Sequence, residues 1–193
     1  MEFMEAIKGR RSVRKYKPDL ISEDKLNTIL ESVRWAPSWA NTQCPRLVLV
    51  TDKAIRDKLA ATLSSPSPDR PNRAAQAIMT VPVCIVACAE LGRSGYKRQP
   101  DGSKIEATDK GDWYMFDLAL ALENLVLTAY SLGLATVHVG LFDSVQAEKI
   151  IGAPENVKVV ELIPLGYPDE QPVAPVRKDY KEWVFYNKYG QGK

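Results

Sequence analysis

The chain is 193 residues long, 45% hydrophobic and nearly balanced in charge, with 26 basic against 24 acidic residues. That length and apolar content predict one domain with a real core and exclude disorder. A net charge of +2 gives no general bias toward nucleic acid, although a few local arginines can still build an anion site. The N-terminus, MEFMEAIKGRRS, is charged and lacks the apolar stretch of a signal peptide. No run of about 18 apolar residues is present, so no membrane span is expected. The three cysteines, Cys44, Cys84 and Cys88, form no framework, which predicts a reducing, cytoplasmic setting. One histidine and scattered thiols argue against a structural zinc site.

Residues 2–9 read as a short helix leading into the basic run Arg10–Lys17. A better helix follows at 22–36, where Ser22 can cap and Glu23 and Asp24 suit the positive N-terminal end. Leu26, Ile29, Leu30 and Val33 give it one apolar stripe, and Pro37 stops it. Residues 46–51 predict a strand and 53–63 a helix; 64–72 is a loop by composition. The continuous apolar run 81–89 predicts a strand covered on both faces, with Cys84 and Cys88 as small core residues. Residues 90–111 read as a long loop, of the kind that is functional or mobile.

Residues 112–133 make the strongest helix, apolar nearly all round and therefore expected to be buried. Asp117, Asn124, Thr128 and Ser131 keep a narrow polar line along it, and Gly133 is a fitting stop. A strand is expected at 136–141, then a helix from the Asp143/Gln146 capping spacing to Gly152, then a core strand at 157–165 closed by the turn at 166–168. Beyond Pro172 the tail is proline-rich, then basic, then aromatic. Trp183, Phe185 and Tyr186 are costly to leave wet, so they either pack on their own domain or reach a second subunit. Helices and strands in this order predict an α+β layered domain.

Four segments could carry chemistry. Arg10, Arg11, Ser12 and Arg14 offer fork-shaped cations and a hydroxyl suited to phosphate, although such a run alone reads as solvated surface. Residues 36–46 set Ser38, Trp39, Asn41 and Gln43 on a loop beside a scaffold, a candidate ligand edge, although taken alone the segment reads as turn chemistry. In Leu134–Gly140, Gly140 would admit a planar ligand close to the backbone, while His138 inside a strand reads as a satisfied structural residue. Arg177–Lys178 lies in the polar tail. No G-x-G-x-x-G, Walker or G-x-S-x-G motif is present, and a single histidine leaves little basis for a triad hydrolase.

Taken in order, RRSVR (10–14), APSWANTQCP (36–45), ENLVLTAYSLGLATVHVG (123–140), PLGYP (164–168) and RK (177–178) resemble the motifs of the nitroreductase-like flavoprotein family over almost the whole chain. The resemblance implies an α+β nitroreductase-like fold: a central mixed β-sheet flanked by helices, in an obligate homodimer with two FMN sites at its interface. Residues 1–193 would form one domain whose tail, from about residue 172, wraps the partner. Arg10, Arg11, Ser12 and Arg14 would grip the phosphate and the polar edge of the flavin. Ser38, Trp39, Asn41 and Gln43 would come from the other subunit; His138, Val139 and Gly140 would line the ring through backbone groups; Arg177 would return to the phosphate. The implied activity is hydride transfer from NAD(P)H through FMN to a small unsaturated acceptor such as a nitroaromatic or quinone, with no catalytic acid–base residue in the protein. Other reactions on the same fold, reductive dehalogenation or enone reduction, and a non-enzymatic flavin-binding module, are the competing readings. Cys44–Pro45 stands where the family has Pro-Trp, and Trp39 is bulky where small residues are common, so the substrate stays open more than the cofactor does.

Overall fold

The computed structural model describes residues 1–64 and 72–192. The expected loop at 64–72 lies outside the described residues except at its two ends. Six α-helices are described: α1 (Phe3–Gly9), α2 (Glu23–Arg34), α3 (Lys53–Ala60), α4 (Arg73–Thr80), α5 (Tyr114–Ser131) and α6 (Ser144–Ile151), with short 3-10 turns at Trp39–Asn41 and Tyr180–Glu182. The described strands are β1 (Pro45–Val50), β2 (Val83–Glu90), β3 (Tyr96–Arg98), β4 (Lys104–Glu106), β5 (Ala135–Thr136) and β6 (Val157–Gly166). Among the described residues no helix is long and apolar enough to cross a membrane.

The main sheet has the order β1-β2-β6-β5. The mixed sheet expected from the sequence is antiparallel in all three ladders, and its parallel element is the single bridge between Ser12 and Thr136. Strand β2 explains the layering. It is buried from Val83 to Ala89, and its two faces serve two cores. Cys84, Val86 and Cys88 pack with Leu59, Ile78 and Ala147 from α3, α4 and α6. Val83, Ile85 and Ala87 pack with Ile29, Leu118, Leu122 and Leu125 from α2 and α5. Each buried Ile or Leu contributes about 1.5–3 kcal/mol, so a strand covered on both sides needs the continuous apolar run seen in the sequence.

Helix ends follow local chemistry with exceptions. Asp143 caps α6 by accepting from the Gln146 N–H at 3.0 Å, and Gly152 ends it in the left-handed region at φ 68°. Ser22 occupies the cap position of α2, but its side chain makes no cap hydrogen bond. Helix α4 has no counterpart in the expected elements; Asn72 caps it, accepting from the Ala74 and Ala75 N–H groups.

Three further expectations are corrected. The strand at 136–141 is cut to Ala135–Thr136, with Val139 rejoining β6 opposite Leu162. The pairings Thr136–Leu165 and Val139–Leu162 share one register, which sets Val137 opposite Pro164. Proline has no N–H to donate, so the ladder breaks there. The 90–111 loop folds into the β3–β4 hairpin. Helix α5 buries Leu118, Leu122, Leu125 and Val126 but leaves Met115 and Phe116 more than half exposed, so its apolar surface is not closed within one chain.

Candidate functional site

After α1 the chain runs beside β5, where the Val13 N–H donates to the Thr136 carbonyl at 3.0 Å. Val13 and Tyr16 turn into the core, and the Tyr16 hydroxyl donates to the Val13 carbonyl at 2.6 Å. Burial pushes the Tyr16 phenol far above its ordinary range, so it stays neutral. Arg14 faces the other way, into a cavity of about 430 Å³ that it lines with His138, Val139, Gly140, Asn72 and Arg73. Two segments far apart in sequence, the basic run and Val137–Leu141, therefore meet.

The basic run divides at this point. Arg10 Nη1 is buried without a hydrogen-bond partner, and so is Thr136 Oγ1 beside the run. A buried unsatisfied donor costs about 1–3 kcal/mol, so the guanidinium of Arg10 is set for an acceptor that no described residue supplies. Ser12 is half-buried at the parallel bridge. Arg11 turns away, donating to the Lys8 and Arg10 carbonyls at 2.7 Å and lining a separate cleft with Tyr130 and Pro172. Arg177 is exposed in the tail, donates to the Pro175 carbonyl at 3.2 Å, and is not among the residues lining the first cavity.

His138 is held from the side by Glu161, whose Oε1 lies 2.8 Å from Nδ1. That contact fits a positioned structural residue. At Gly140 an added Cβ would meet nothing within 4 Å, so the cavity wall there is open to a ligand. Glu170, missed by the sequence reading, ties the mouth together. Its Oε1 accepts from the Arg14 N–H at 2.6 Å and its Oε2 pairs with Arg73 at 2.8 Å. Asn72 and Arg73 were also missed, because nothing marked residues 73–80 as a helix whose start would reach the cavity.

The loop after α2 is the second part. Ala40, Asn41 and Gln43 all have positive φ, at 47°, 54° and 48°. Three such non-glycine residues within four positions store backbone strain, which persists only where neighbours hold it. Ser38 Oγ accepts from the Gln43 N–H at 2.9 Å. Asp117, fully buried on α5, does the rest. Its Oδ1 accepts from the Trp39 N–H at 2.9 Å. Its Oδ2 accepts from the Ser94 hydroxyl at 2.6 Å, the Thr42 hydroxyl at 3.3 Å and the Cys44 thiol at 3.5 Å. Burial, and then the Asp117 charge, push the Cys44 thiol up to about 12. Cys44 is thus an internal donor, which accounts for its place in the motif. The signal for Asp117 was an acid in the first turn of a largely apolar helix.

Ser38 and Gln43 line a small cleft of about 180 Å³ with Arg34 and Arg46, apart from the cavity of Arg14. One chain therefore does not bring the two halves of the expected site together.

The family model described as the nitroreductase family matches residues 7–167. A provisionally named NADH dehydrogenase/NAD(P)H nitroreductase of Methanothermobacter thermautotrophicus is 30% identical over 176 residues, covering 89% of this chain and 80% of that protein. The FMN reductase (NAD(P)H) of Bacillus subtilis is 26% identical, covering 88% of this chain and 67% of its own length. Among solved structures, a nitroreductase family protein from Clostridium novyi NT superposes with a TM-score of 0.74 at 28% identity, covering 100% of this chain and 97% of that one. With the arrangement of the Arg10–Arg14 run, the strained loop and the Val137–Leu141 wall, these matches establish that the chain belongs to the nitroreductase family.

Proposed function

We propose that the chain is a homodimeric, cytoplasmic FMN-dependent oxidoreductase that takes hydride from NAD(P)H and delivers it to a small unsaturated acceptor, such as a nitroaromatic or a quinone. Residues 1–193 form one flavin-binding unit, with the tail from about 172 crossing to the partner. The carrying observations are a buried Arg10 Nη1 with no partner among the described residues, four positions before Arg14, and a cavity that presents Arg14 and the open Gly140 wall. A dianionic phosphate is the acceptor such a donor lacks. The cytoplasmic placement rests on three free, buried thiols.

Bound FMN supplies the hydride chemistry in both half-reactions. The chain supplies position and charge. Arg10 and Ser12 would hold the phosphate, with Arg177 joining them. Arg14 would place a cation that favours the reduced cofactor, and the backbone of His138–Gly140 would present amide groups to the ring. Ser38, Trp39, Asn41 and Gln43, with Arg11 near the subunit boundary, would complete the second site across the dimer. The dimer is supported by apolar side chains with no cover in one chain: Phe3, Met4, Met115, Phe116, Trp183 and Tyr189 are all more than half exposed. An interface of about 2,000 Å² or more would bury them.

Absorbance of the purified protein, its solution mass and anaerobic addition of NADH or NADPH test this together. The expected result is a yellow dimer with about one FMN per subunit, bleached by nicotinamide. A colourless protein that takes up no FMN on titration overturns the reading. Bound flavin that neither nicotinamide reduces leaves a flavin-binding module instead.

A further inference from the structure

A second polar cleft, of about 420 Å³, lies beside the strained loop. Thr42 lines one wall, and Arg93, Lys97, Arg98 and Lys104 from the β3–β4 hairpin and its approach line the other. The hairpin register sets Arg98 directly opposite Lys104. Like charges facing each other across a strand pair are destabilising. The surrounding carboxylates do not relieve them. Glu90 pairs with Arg46 and Arg93. Asp101 accepts from the Ser103 N–H and hydroxyl. Asp112 accepts from the Gly92 and Tyr114 N–H groups. Glu106, opposite Tyr96, shares the hairpin face of Arg98 and Lys104 but forms no ion pair with either among the described residues. Among the described residues Lys97, Arg98 and Lys104 have no ion-pair partner.

The hairpin is also held in a fixed place. Ser94 at its base is fully buried and donates to Asp117, the residue that holds the Trp39–Cys44 loop. A Cβ at Gly95, where φ is 82°, would lie 2.6 Å from the Gly111 carbonyl, so the backbone passes there at closest approach. Two unpaired cations on one hairpin face, Arg98 and Lys104, are thereby anchored next to the loop assigned to the flavin site.

We propose that this cleft binds a phosphate monoester, and that its source is the 2′-phosphate of the nicotinamide donor, which makes the enzyme selective for NADPH over NADH. The proposal rests on the flavin reading above and deepens it. Arg98 and Lys104 face each other on one side of the hairpin, two cations that match a dianion, and a guanidinium fork matches phosphate oxygens. The wall is too polar for an apolar acceptor ring, whereas a ribose phosphate is suited to it. NADH and NADPH differ only in that phosphate, so the cleft acts where the two donors differ.

The test compares the wild type with the double variant Arg98→Gln, Lys104→Gln in the flavin-loaded protein, following anaerobic flavin reduction by each nicotinamide. The variant is expected to weaken NADPH by about tenfold or more, the loss of at least one charge-assisted contact, with NADH changed less than about twofold. In the wild type the NADPH dissociation constant should also rise with salt more steeply than that of NADH. Calorimetric titration with adenosine 2′-monophosphate against adenosine reads the site without any flavin chemistry, so its result stands even if flavin binding fails. A third arm uses free FMN against riboflavin as acceptor. Loss confined to FMN would assign the phosphate to the acceptor and overturn the donor assignment. Equal effects on NADH and NADPH, or no preference for adenosine 2′-monophosphate over adenosine, would overturn the site.

Discussion

Replacing Asp117 with alanine tests how the strained loop is held. The carboxylate is fully buried and receives two short hydrogen bonds, from the Trp39 N–H at 2.9 Å and the Ser94 hydroxyl at 2.6 Å. The Thr42 contact, at 3.3 Å, is long for a hydroxyl donor, and the Cys44 thiol, at 3.5 Å, is an intrinsically weak donor, so both add little. A hydrogen bond to a charged group is worth about 1.5–3 kcal/mol, so the two short ones together give roughly 3–6 kcal/mol before relaxation. Partial collapse of the site brings the expected loss to about 3–5 kcal/mol, at the severe end for a single substitution. At about 2–4 °C per kcal/mol for a chain of this size, the melting temperature should fall by roughly 6–20 °C. Asp117→Asn keeps one carbonyl acceptor and should lose about 1–3 kcal/mol; Ser94→Ala should lose less than Asp117→Ala. The assay is urea unfolding at fixed protein and FMN concentration, paired with FMN titration, since a released Ala40–Gln43 loop should also bind flavin more weakly. An Asp117→Ala protein within about 0.5 kcal/mol of the wild type, the range of ordinary surface changes, would refute the reasoning.

Four further outcomes are expected. Arg10→Ala or Arg177→Ala should raise the FMN dissociation constant roughly 10- to 150-fold while sparing riboflavin, and Arg14→Ala should make bound flavin harder to reduce in a redox titration; equal losses for FMN and riboflavin would remove the phosphate assignment. His138→Asn should leave flavin reduction within about tenfold in stopped-flow traces, because loss of a general acid costs typically 10²–10⁴; a larger drop with FMN still bound restores histidine as an acid. Truncation at about residue 172 should abolish dimer and flavin binding together at an obligate interface, read by light scattering and absorbance; a yellow dimer without the tail contradicts it. Burial pushes the thiols of Cys44 and Cys84 up to about 12 and that of Cys88 to about 11, from 9.0. The unfolded chain ionises first, so their stabilising contribution is complete below about pH 9 and is lost as pH rises toward 11–12. Urea midpoints that do not fall between pH 8 and 10.5, or rapid thiol labelling of the folded protein at pH 8, would count against it.

The sequence carried the elements whose cause is local. The continuous apolar run of β2 needs cover on both faces wherever it lies, and it received that cover from α2 and α5 on one side and α3, α4 and α6 on the other. Asp143 and Gly152 delimit α6 through bonds and backbone angles within a few residues. The basic run and the loop after α2 were also legible as segments, since charge and side-chain chemistry are properties of residues. What each segment does was not. The shortening of the 136–141 strand depends on Pro164, 28 positions from Thr136, which becomes visible only when β5 and β6 are in register.

Tertiary structure decided the rest because burial and proximity belong to pairs of elements. Asp117 belonged to a polar line on a helix until folding brought four donors from two loops around it. Arg10, Arg11 and Arg14 are equivalent in a sequence but not in space: one has a buried orphan N–H, one bonds its own backbone, and one lines a cavity. Residues 90–111, unreadable as a pattern, became a hairpin that sets Arg98 against Lys104, since cross-strand pairing is a fact of register that composition does not contain.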